Sequence, residues 1–362
     1  MKKWKLMLTV VSVALCMLTM SGCGLFLMLL GMEASKDITT INGVSIMFKL
    51  NDTKTEYWIA SSNIAGKSPK NQDDLVDLVI PAEHNGLPVT GISMFAFQDC
   101  DVIRSVTIPE SMIDLRGAFS DCDNIEGVEI PKSVLYLHGS TFYSCDSLKA
   151  VDIDPDNPNY CSVDGNIYSK DGSQLLFYAP GKAEKEFRVP SGVATISRLA
   201  FTNCNHLERI LIPRTVEQIT WESIQYCDRL QGISVDENNA TYCSIDGNLY
   251  SKDRKTFLRQ YVMVGDTELV IPEGVTTIAS GACCGSLTSV IIPGSVRHME
   301  SAFSGCDKLT SAYFQVTEGW TATHSGKFVT KTPLDPQALS DPATAAVYLR
   351  DTYGLDEWVR EG

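Results

Sequence analysis

Short runs of this chain alternate apolar and polar residues with the period of a half-buried β-strand. In the run LERILIP, Leu207, Ile210 and Ile212 fall on one side of such a strand, and Arg209 and Leu211 fall on the other. The proline that ends the run has no N–H to give to a neighbouring strand, so it marks the end of the strand. The pattern predicts short strands with one face on a core and one face in solvent.

These strands recur at a nearly constant distance. The apolar residues at the strand ends are Ile80, Ile108, Ile130, Ile153, Val189, Ile212, Val235, Ile271, Ile292 and Phe314. Most consecutive members of this series are separated by about 23 residues, and two intervals are longer by about half a coil. A period of about 23 residues is typical of a coil that winds once and stacks on the next one. We therefore predict a mainly β repeat solenoid of about ten coils of about 23 residues, with capped ends.

The two longer intervals mark insertions. They run from Ile153 to Val189 and from Val235 to Ile271, and each carries one copy of a phrase, YCSVDGNIYSKDG from Tyr160 and YCSIDGNLYSKDR from Tyr242. Aligned coil residues on either side keep the same offset as the two tyrosines, so a block of three coils within residues 107–271 is duplicated. Ile167–Tyr168 and Leu175–Tyr178 flank a Ser169–Gly172 turn, which predicts a β-hairpin in each insertion. Duplicated architecture explains the phrase without a catalytic pair.

Phenylalanine and cysteine each keep one position in the coil. The phenylalanines are Phe97, Phe119, Phe142, Phe201 and Phe303, whose rings we expect to stack inside. The cysteines are Cys100, Cys122, Cys145, Cys204, Cys227, Cys284 and Cys306, with Cys283 in the phenylalanine position of a shorter coil. Cysteines on neighbouring coils would lie about 5 Å apart, so disulfides are geometrically possible. We favour buried free thiols, because seven cannot pair completely and because a metal site would need motifs such as C-x-x-C that the chain lacks.

The repeat unit I-P-x-x-V-x-x-I-x-x-x-A-F-x-x-C-x-x-L-x-x-V-x-I-P resembles the BspA-type leucine-rich repeat of bacterial surface proteins, from about Leu75 to Phe314. The stretch LSDPATAAVYLRDTYGLDEW also resembles the tail that closes such chains. The resemblance implies adhesion to host matrix proteins, to other bacteria or to surface glycans. We predict a β-rich N-terminal cap over residues 34–74, the solenoid over 75–315, and a C-terminal cap over 316–362. Asp341 or Ser340 would cap a short helix there, with Pro342 in its first turn and Gly354 past its end.

Residues 1–33 have the layout of an export signal. Lys2, Lys3 and Lys5 precede an apolar run, and Met20-Ser21-Gly22-Cys23 resembles a bacterial lipobox, in which Cys23 receives the lipid. The alternative is an uncleaved transmembrane anchor, because Leu6–Met32 carries no charge and exceeds the span of about 20 residues that crosses a bilayer. Both interpretations place the body on the extracellular face of the cell membrane, since the lysines stay cytoplasmic. We favour the lipid anchor.

Composition removes several classes of function. The net charge of −14 comes without a basic stripe, which argues against a nucleic-acid partner. Asp152, Asp154 and Asp156 have calcium-loop spacing, but Asn157 replaces the required Gly and Val163 the required Glu, so a solvated turn is predicted. The chain has no H-E-x-x-H, G-x-S-x-G or phosphate loop. We predict neither an enzyme nor a bound metal or cofactor.

The outward strand positions point to binding. Val270, Ile291 and Tyr313 precede consecutive strand ends and would form an apolar stripe, and Leu211 holds the same position in an earlier coil. Exposed patches of this kind usually mark interfaces, although the C-terminal tail could instead fold over the stripe. We predict a surface protein that binds an extracellular protein or glycan, with a structural spacer of the envelope and, third, an extracellular hydrolase as alternatives.

Overall fold

The computed structural model describes residues 37–361 except 42, 63–66, 68–73, 221, 262–267, 284–286 and 325–329. The predicted lipidation site Cys23, the alternative anchor Leu6–Met32 and the slot cysteine Cys284 therefore lie outside the described residues. In the part of the chain that is described, no helix combines the length and apolar composition that crossing a bilayer requires.

The chain divides into two compact units. The first is Met1–Lys182 with Ser197–Cys204 and Thr220–Gln225, and the second is Ala183–Ile196 with Asn205–Ile219 and Tyr226–Gly362.

Short β-strands dominate both units. Up to Lys182 they are β1 (Ile38–Ile41), β2 (Val44–Leu50), β3 (Tyr57–Ser62), β4 (Val76–Val79), β5 (Glu83–His84), β6 (Leu87–Ile92), β7 (Ile103–Thr107), β8 (Gly127–Ile130), β9 (Ala150–Ile153), β10 (Tyr160–Val163), β11 (Asn166–Ser169) and β12 (Gln174–Phe177). After Lys182 they are β13 (Glu186–Arg188), β14 (Thr195–Ile196), β15 (Phe201–Thr202), β16 (Arg209–Ile212), β17 (Gln218–Ile219), β18 (Ile224–Gln225), β19 (Gly232–Val235), β20 (Tyr242–Ile245), β21 (Asn248–Ser251), β22 (Thr256–Arg259), β23 (Glu268–Val270), β24 (Thr277–Ile278), β25 (Ser289–Ile292), β26 (His298–Glu300), β27 (Ser311–Phe314), β28 (Trp320–His324), β29 (Thr330–Pro333) and β30 (Glu357–Arg360).

Helical segments are few among the described residues. They are a 3-10 helix (Gly139–Phe142), α1 (Pro336–Ser340), α2 (Pro342–Val347) and a π-helical turn (Tyr348–Thr352). Helix α2 begins as predicted: the Asp341 carboxylate accepts the backbone N–H of Thr344 at 2.8 Å, and Pro342 occupies the first turn.

Three parallel sheets carry the repeat. They are β4-β7-β8-β9 in the first unit, and β13-β16-β19 and β23-β25-β27 in the second. All ten predicted strand-end residues lie at the last position of one of these strands or directly after it. The mainly β solenoid predicted from the sequence is confirmed.

Stacked rings fill the core of the first unit, as the repeat predicts. The ring centroids of Phe97 and Phe119 lie 5.4 Å apart, and those of Phe119 and Phe142 lie 6.0 Å apart, with nearly parallel planes. All three side chains are buried. These three coils therefore contribute one ring each to a column, and burying each ring removes a large apolar area from water.

Each insertion forms two hairpins rather than the one predicted. Strands β11 and β12 form the predicted hairpin, with Tyr168 opposite Leu175. Strand β10 pairs with β11 as well, through a turn at Asp164-Gly165 in which both residues have positive φ, 50° and 71°. An Asp-Gly pair in this conformation is the preferred two-residue hairpin turn, so the sequence carried the signal. The second copy repeats the arrangement in β20–β22, where Tyr242 lies opposite Ser251.

Candidate binding surface

The structure places the three residues of the predicted stripe side by side. In the parallel sheet β23-β25-β27, Val270 lies opposite Ile291, and Ile291 lies opposite Tyr313. Val270 is 55% exposed and Tyr313 48% exposed, while Ile291 between them is half-buried. We call this set the apolar stripe. Neighbouring strands lie about 4.8 Å apart, so the three side chains form one continuous surface.

Strand alternation is what turns the stripe outward. The neighbours of Ile291 on its own strand, Val290 and Ile292, are buried, as is Ala312 on β27. Because successive side chains of a strand point to opposite faces, burying these residues obliges the residues between them to face out. The exposure of the stripe therefore follows from the packing of the coil interior.

The described part of the C-terminal tail packs on the inward side of the last coil. Ala312, on the inward side of β27, shares a buried cluster with Leu339, Ala345 and Leu349 of the tail. The tail thus covers the inward side of the last coil, while Tyr313 on the other side keeps half of its surface in solvent. In its described residues, the tail therefore packs on the inward side of β27 and not over the stripe.

Leu211 does not belong to the stripe. It lies on β16 of the sheet β13-β16-β19, between Arg188 and Ser234, and it is half-buried. With a charged and a hydroxyl neighbour, Leu211 is a single apolar side chain. Single surface apolar residues are normal and need no functional explanation.

A polar row borders the stripe. Two residues earlier on the same strands, Ser289 lies opposite both Glu268 and Ser311. An apolar centre beside hydroxyl and carboxylate groups is the composition of a protein interface core with its rim.

The described slot cysteines lie in the interior. Cys100, Cys122, Cys145, Cys204, Cys227 and Cys306 are all buried. The Cys122 thiol donates to the carbonyl of Phe97, and the Cys145 thiol to that of Phe119, each at 3.0 Å. Burial raises the pKa of the Cys145 thiol well above its usual range, so it stays protonated. These thiols tie one coil to the next as small packing groups.

A buried asparagine organises the turn predicted to be solvated. Asp152 and Asp156 are exposed, but Asn157 is fully buried. Its amide nitrogen donates to the carbonyls of Pro131 (3.3 Å) and Val134 (2.9 Å), and its oxygen accepts two backbone N–H groups, from residues 159 and 160. In the described residues, no three His, Cys, Asp or Glu side chains are placed to hold one metal ion.

The second copy of the insertion contains an asparagine with the same four hydrogen bonds. The Asn239 amide nitrogen donates to the carbonyls of Pro213 (3.0 Å) and Val216 (2.8 Å), and its oxygen accepts the N–H groups of Thr241 and Tyr242. Sequence reasoning missed both asparagines. The available signal was their separation, which equals the offset between Tyr160 and Tyr242 in the duplication.

Aspartates form a ladder next to the cysteine slot of the first unit. The Asp101 carboxylate accepts the backbone N–H of Asp123 at 3.1 Å, one coil on. Partial burial, followed by the negative charges of Asp101 and Asp146, raises the pKa of Asp123 to about 6. Ionised Asp123 is therefore unfavourable in the folded state.

These observations agree with the comparison with protein families. The family model for the BspA type leucine-rich repeat region matches residues 68–165, 174–253 and 264–334, with six copies. This is well over half of the chain, and the chain belongs to that family.

Solved structures with a similar fold come from bacteria. A leucine-rich cell surface protein from Faecalibacterium prausnitzii is 20% identical, with a TM-score of 0.41 over 78% of this chain and 95% of the other. The pneumococcal vaccine antigen PcpA is 16% identical, with a TM-score of 0.44 over 78% and 88%. A leucine-rich repeat protein from Eubacterium ventriosum is 18% identical, with a TM-score of 0.41 over 78% and 71%. No curated protein matches the chain in sequence.

Proposed function

We propose that this protein is a bacterial cell-surface binding protein, without catalytic activity, that engages an extracellular protein or glycan through the apolar stripe. The observation that carries the proposal is the exposure of Val270 and Tyr313 beside Ile291 on one sheet, with the tail packed elsewhere. Continuous apolar surface costs solubility when it is left open, so its presence on a folded chain favours a partner that covers it.

The chemistry of the stripe suits an interface. Tyrosine is enriched among residues that dominate binding energy, because its ring buries a large apolar area while its hydroxyl keeps a hydrogen-bond partner. Covering the exposed parts of Val270 and Tyr313 removes apolar area from water at about 25 cal/mol per Å². The bordering serines offer hydroxyl groups for orientation.

Binding to immobilised matrix proteins, mucins and fixed bacterial cells tests the proposal, with the full-length protein kept in a non-ionic detergent. The test variant carries Val270→Asp, Ile291→Asp and Tyr313→Asp. The matched control carries Arg188→Asp, Leu211→Asp and Ser234→Asp, the outward positions of the other sheet in the same unit. We expect saturable binding by wild type and control and its loss from the stripe variant, with circular dichroism showing that all three are folded.

Other outcomes would redirect the assignment. Equal loss in both variants would mean that the stripe is not the site. No saturable binding by any form, to any member of the panel, would favour the structural spacer of the cell envelope.

We further propose that the body is held on the extracellular face of the membrane by a lipid on Cys23. Support comes from the small-small-Cys ending of the leader, and the similar solved protein from Faecalibacterium is described as a cell surface protein. Radiolabelled palmitate should load onto the wild type and not onto Cys23→Ser. Equal labelling would contradict lipid attachment at Cys23, and membrane retention of a protein that takes no label would favour an uncleaved Leu6–Met32 anchor.

A further inference from the structure

We propose a second docking surface, on the strand face of the first unit, that takes an extended protein segment rich in lysine or arginine. It is independent of the apolar stripe, which lies in the second unit. The basis is a groove with a partly apolar floor, whose rim carries carboxylates that form no ion pair among the described residues.

The groove follows the outward face of β7, β8 and β9. It consists of two depressions, each with a volume of about 380 Å³, that share Ile108, Glu129 and Asp152 in their linings. Glu129 and Asp152 lie opposite each other on neighbouring strands. The shared lining makes the two depressions one continuous groove across three coils, long enough for several residues of a segment.

The floor of the groove is partly apolar. Ile108 and Ile153 line it and are 9% and 8% exposed, so a small edge of each faces the groove, while Ile130, at 1% exposed, adds almost no surface. Pro131 lies beside them. Such a floor accepts the aliphatic stem of a lysine or arginine side chain, which gains from leaving water as long as its charged head finds a partner.

The rim supplies that partner. Glu110, Glu129 and Asp152 are exposed, and within the described residues none of them forms an ion pair. Asp154, the fourth carboxylate of the lining, accepts the backbone N–H of Asp156.

Two other acids of the same coils do form ion pairs. Asp77 on β4 meets Arg104 at 2.6 Å, and Glu126, just before β8, meets Lys149 at 2.9 Å. Unlike Asp77 and Glu126, the carboxylates that border the groove form no ion pair among the described residues. Charge complementarity with a cationic partner follows.

The spacing of the carboxylates favours a segment over a single ion. Glu110, Glu129 and Asp152 belong to three successive coils, and each coil adds about 4.8 Å along the stack. A metal ion needs several oxygens converging within about 2.6 Å, whereas side chains of an extended segment can meet carboxylates one at a time.

Fluorescence anisotropy tests the proposal, with full-length protein in a non-ionic detergent and a labelled peptide of alternating lysine and glycine. A peptide with glutamate in place of lysine tests the sign of the charge, and one with norleucine tests the aliphatic stem without a charge. The test variant is Glu129→Gln/Asp152→Asn. The matched control is Glu126→Gln/Asp123→Asn, which removes two charges from the same unit outside the groove. A second variant, Thr107→Lys, places a cation in the groove itself, since Thr107 lies in its lining.

We expect saturable binding of the lysine peptide only, weakened at least tenfold by Glu129→Gln/Asp152→Asn and by Thr107→Lys, and changed less than twofold by the control. Equal weakening in the control would mean that the chain's net charge of −14 attracts the peptide without a site. Failure to saturate would overturn the proposal as well. So would calorimetric binding of calcium with the same sensitivity to the variants, which would make the groove a cation site. Because the stripe variant should bind the peptide normally, this test is separate from that of the proposed function.

Discussion

Replacing Asn157 by aspartate should strongly destabilise the protein at neutral pH. The exchange keeps the shape of the side chain and the oxygen that accepts the N–H groups of residues 159 and 160. It removes the amide donor to the carbonyls of Pro131 and Val134, and it sets a carboxylate oxygen against them in a site with no exposed surface.

The magnitude follows from those two carbonyls. A buried acceptor left without its donor costs about 1–3 kcal/mol, so two cost about 2–6 kcal/mol. The new carboxyl should have a raised pKa, because burial disfavours its charged form. Below that pKa the proton restores a donor. The deficit relative to wild type should therefore be largest at about pH 7 and shrink as the pH falls towards about 4.5.

Urea unfolding followed by far-UV circular dichroism measures the effect, with each variant compared with wild type at each pH. Asn239→Asp should lose as much as Asn157→Asp to within about 1 kcal/mol, because its four hydrogen bonds are the same. Asn238→Asp, at the exposed neighbouring position, should change stability by less than about 0.5 kcal/mol. An Asn157→Asp protein as stable as wild type at pH 7, or a loss of stability independent of pH, would refute the role of the Asn157 amide as donor to the two buried carbonyls.

Three further changes test other parts of the fold. The pKa of Asp123, raised to about 6, means that the folded state binds this proton more tightly than the unfolded chain. Urea midpoints of wild type should therefore rise as pH falls from 8 through 6, and Asp123→Asn should flatten that rise; a parallel rise in the variant would exclude Asp123 as its source. Phe95 has φ of 67° and is 44% exposed, where the next coil has Gly117. Phe95→Gly should leave stability unchanged or raise it by up to about 1 kcal/mol, whereas Phe97→Ala should lose about 3–5 kcal/mol, both read from urea midpoints. Thiol titration of the denatured protein should find free thiols at all ten cysteines beyond Cys23, and a shortfall of two or more would indicate disulfides.

Repetition made most of the fold predictable. A strand, a ring and a thiol recur at fixed positions, so a weak local signal is read several times and errors at single coils cancel. The positions of Ile130 and Ile212, or of Phe97 and Phe119, could be assigned to the interior without any tertiary information. The stripe was predictable for the same reason, because facing out is the complement of facing in.

Features that depend on irregular backbone were harder to predict. Asn157 follows an acidic turn and has the composition of a solvated loop, yet its amide reaches two carbonyls in the preceding coil. Nothing in local polarity distinguishes an asparagine that faces solvent from one that satisfies buried carbonyls, because both favour turns. The additional β10–β11 hairpin was predictable from Asp164-Gly165. It was missed because the hairpin was assigned to the more apolar segment that forms β12.

The two copies of the duplicated block show which residues the fold requires and which positions it allows to vary. Between its two copies, the inward residues Cys122 and Ile130 return unchanged as Cys204 and Ile212. At the same offset, the outward Glu129 becomes Leu211. Two stretches that began as the same sequence have thus kept their interiors and changed their strand faces. Packing requires the interior residues to stay the same, because a substitution in the core costs several kcal/mol.

No such restriction holds on the strand face, where surface substitutions usually change stability by less than about 0.5 kcal/mol. One sheet can therefore carry exposed carboxylates and another an apolar stripe at no cost to the coil. The two proposed surfaces differ in chemistry because the outward residue of each coil can change to suit a binding partner. If both binding tests succeed, the chain presents two separately tunable sites on one repeated scaffold, and substitutions at Glu129 and at Tyr313 should affect different ligands without affecting each other.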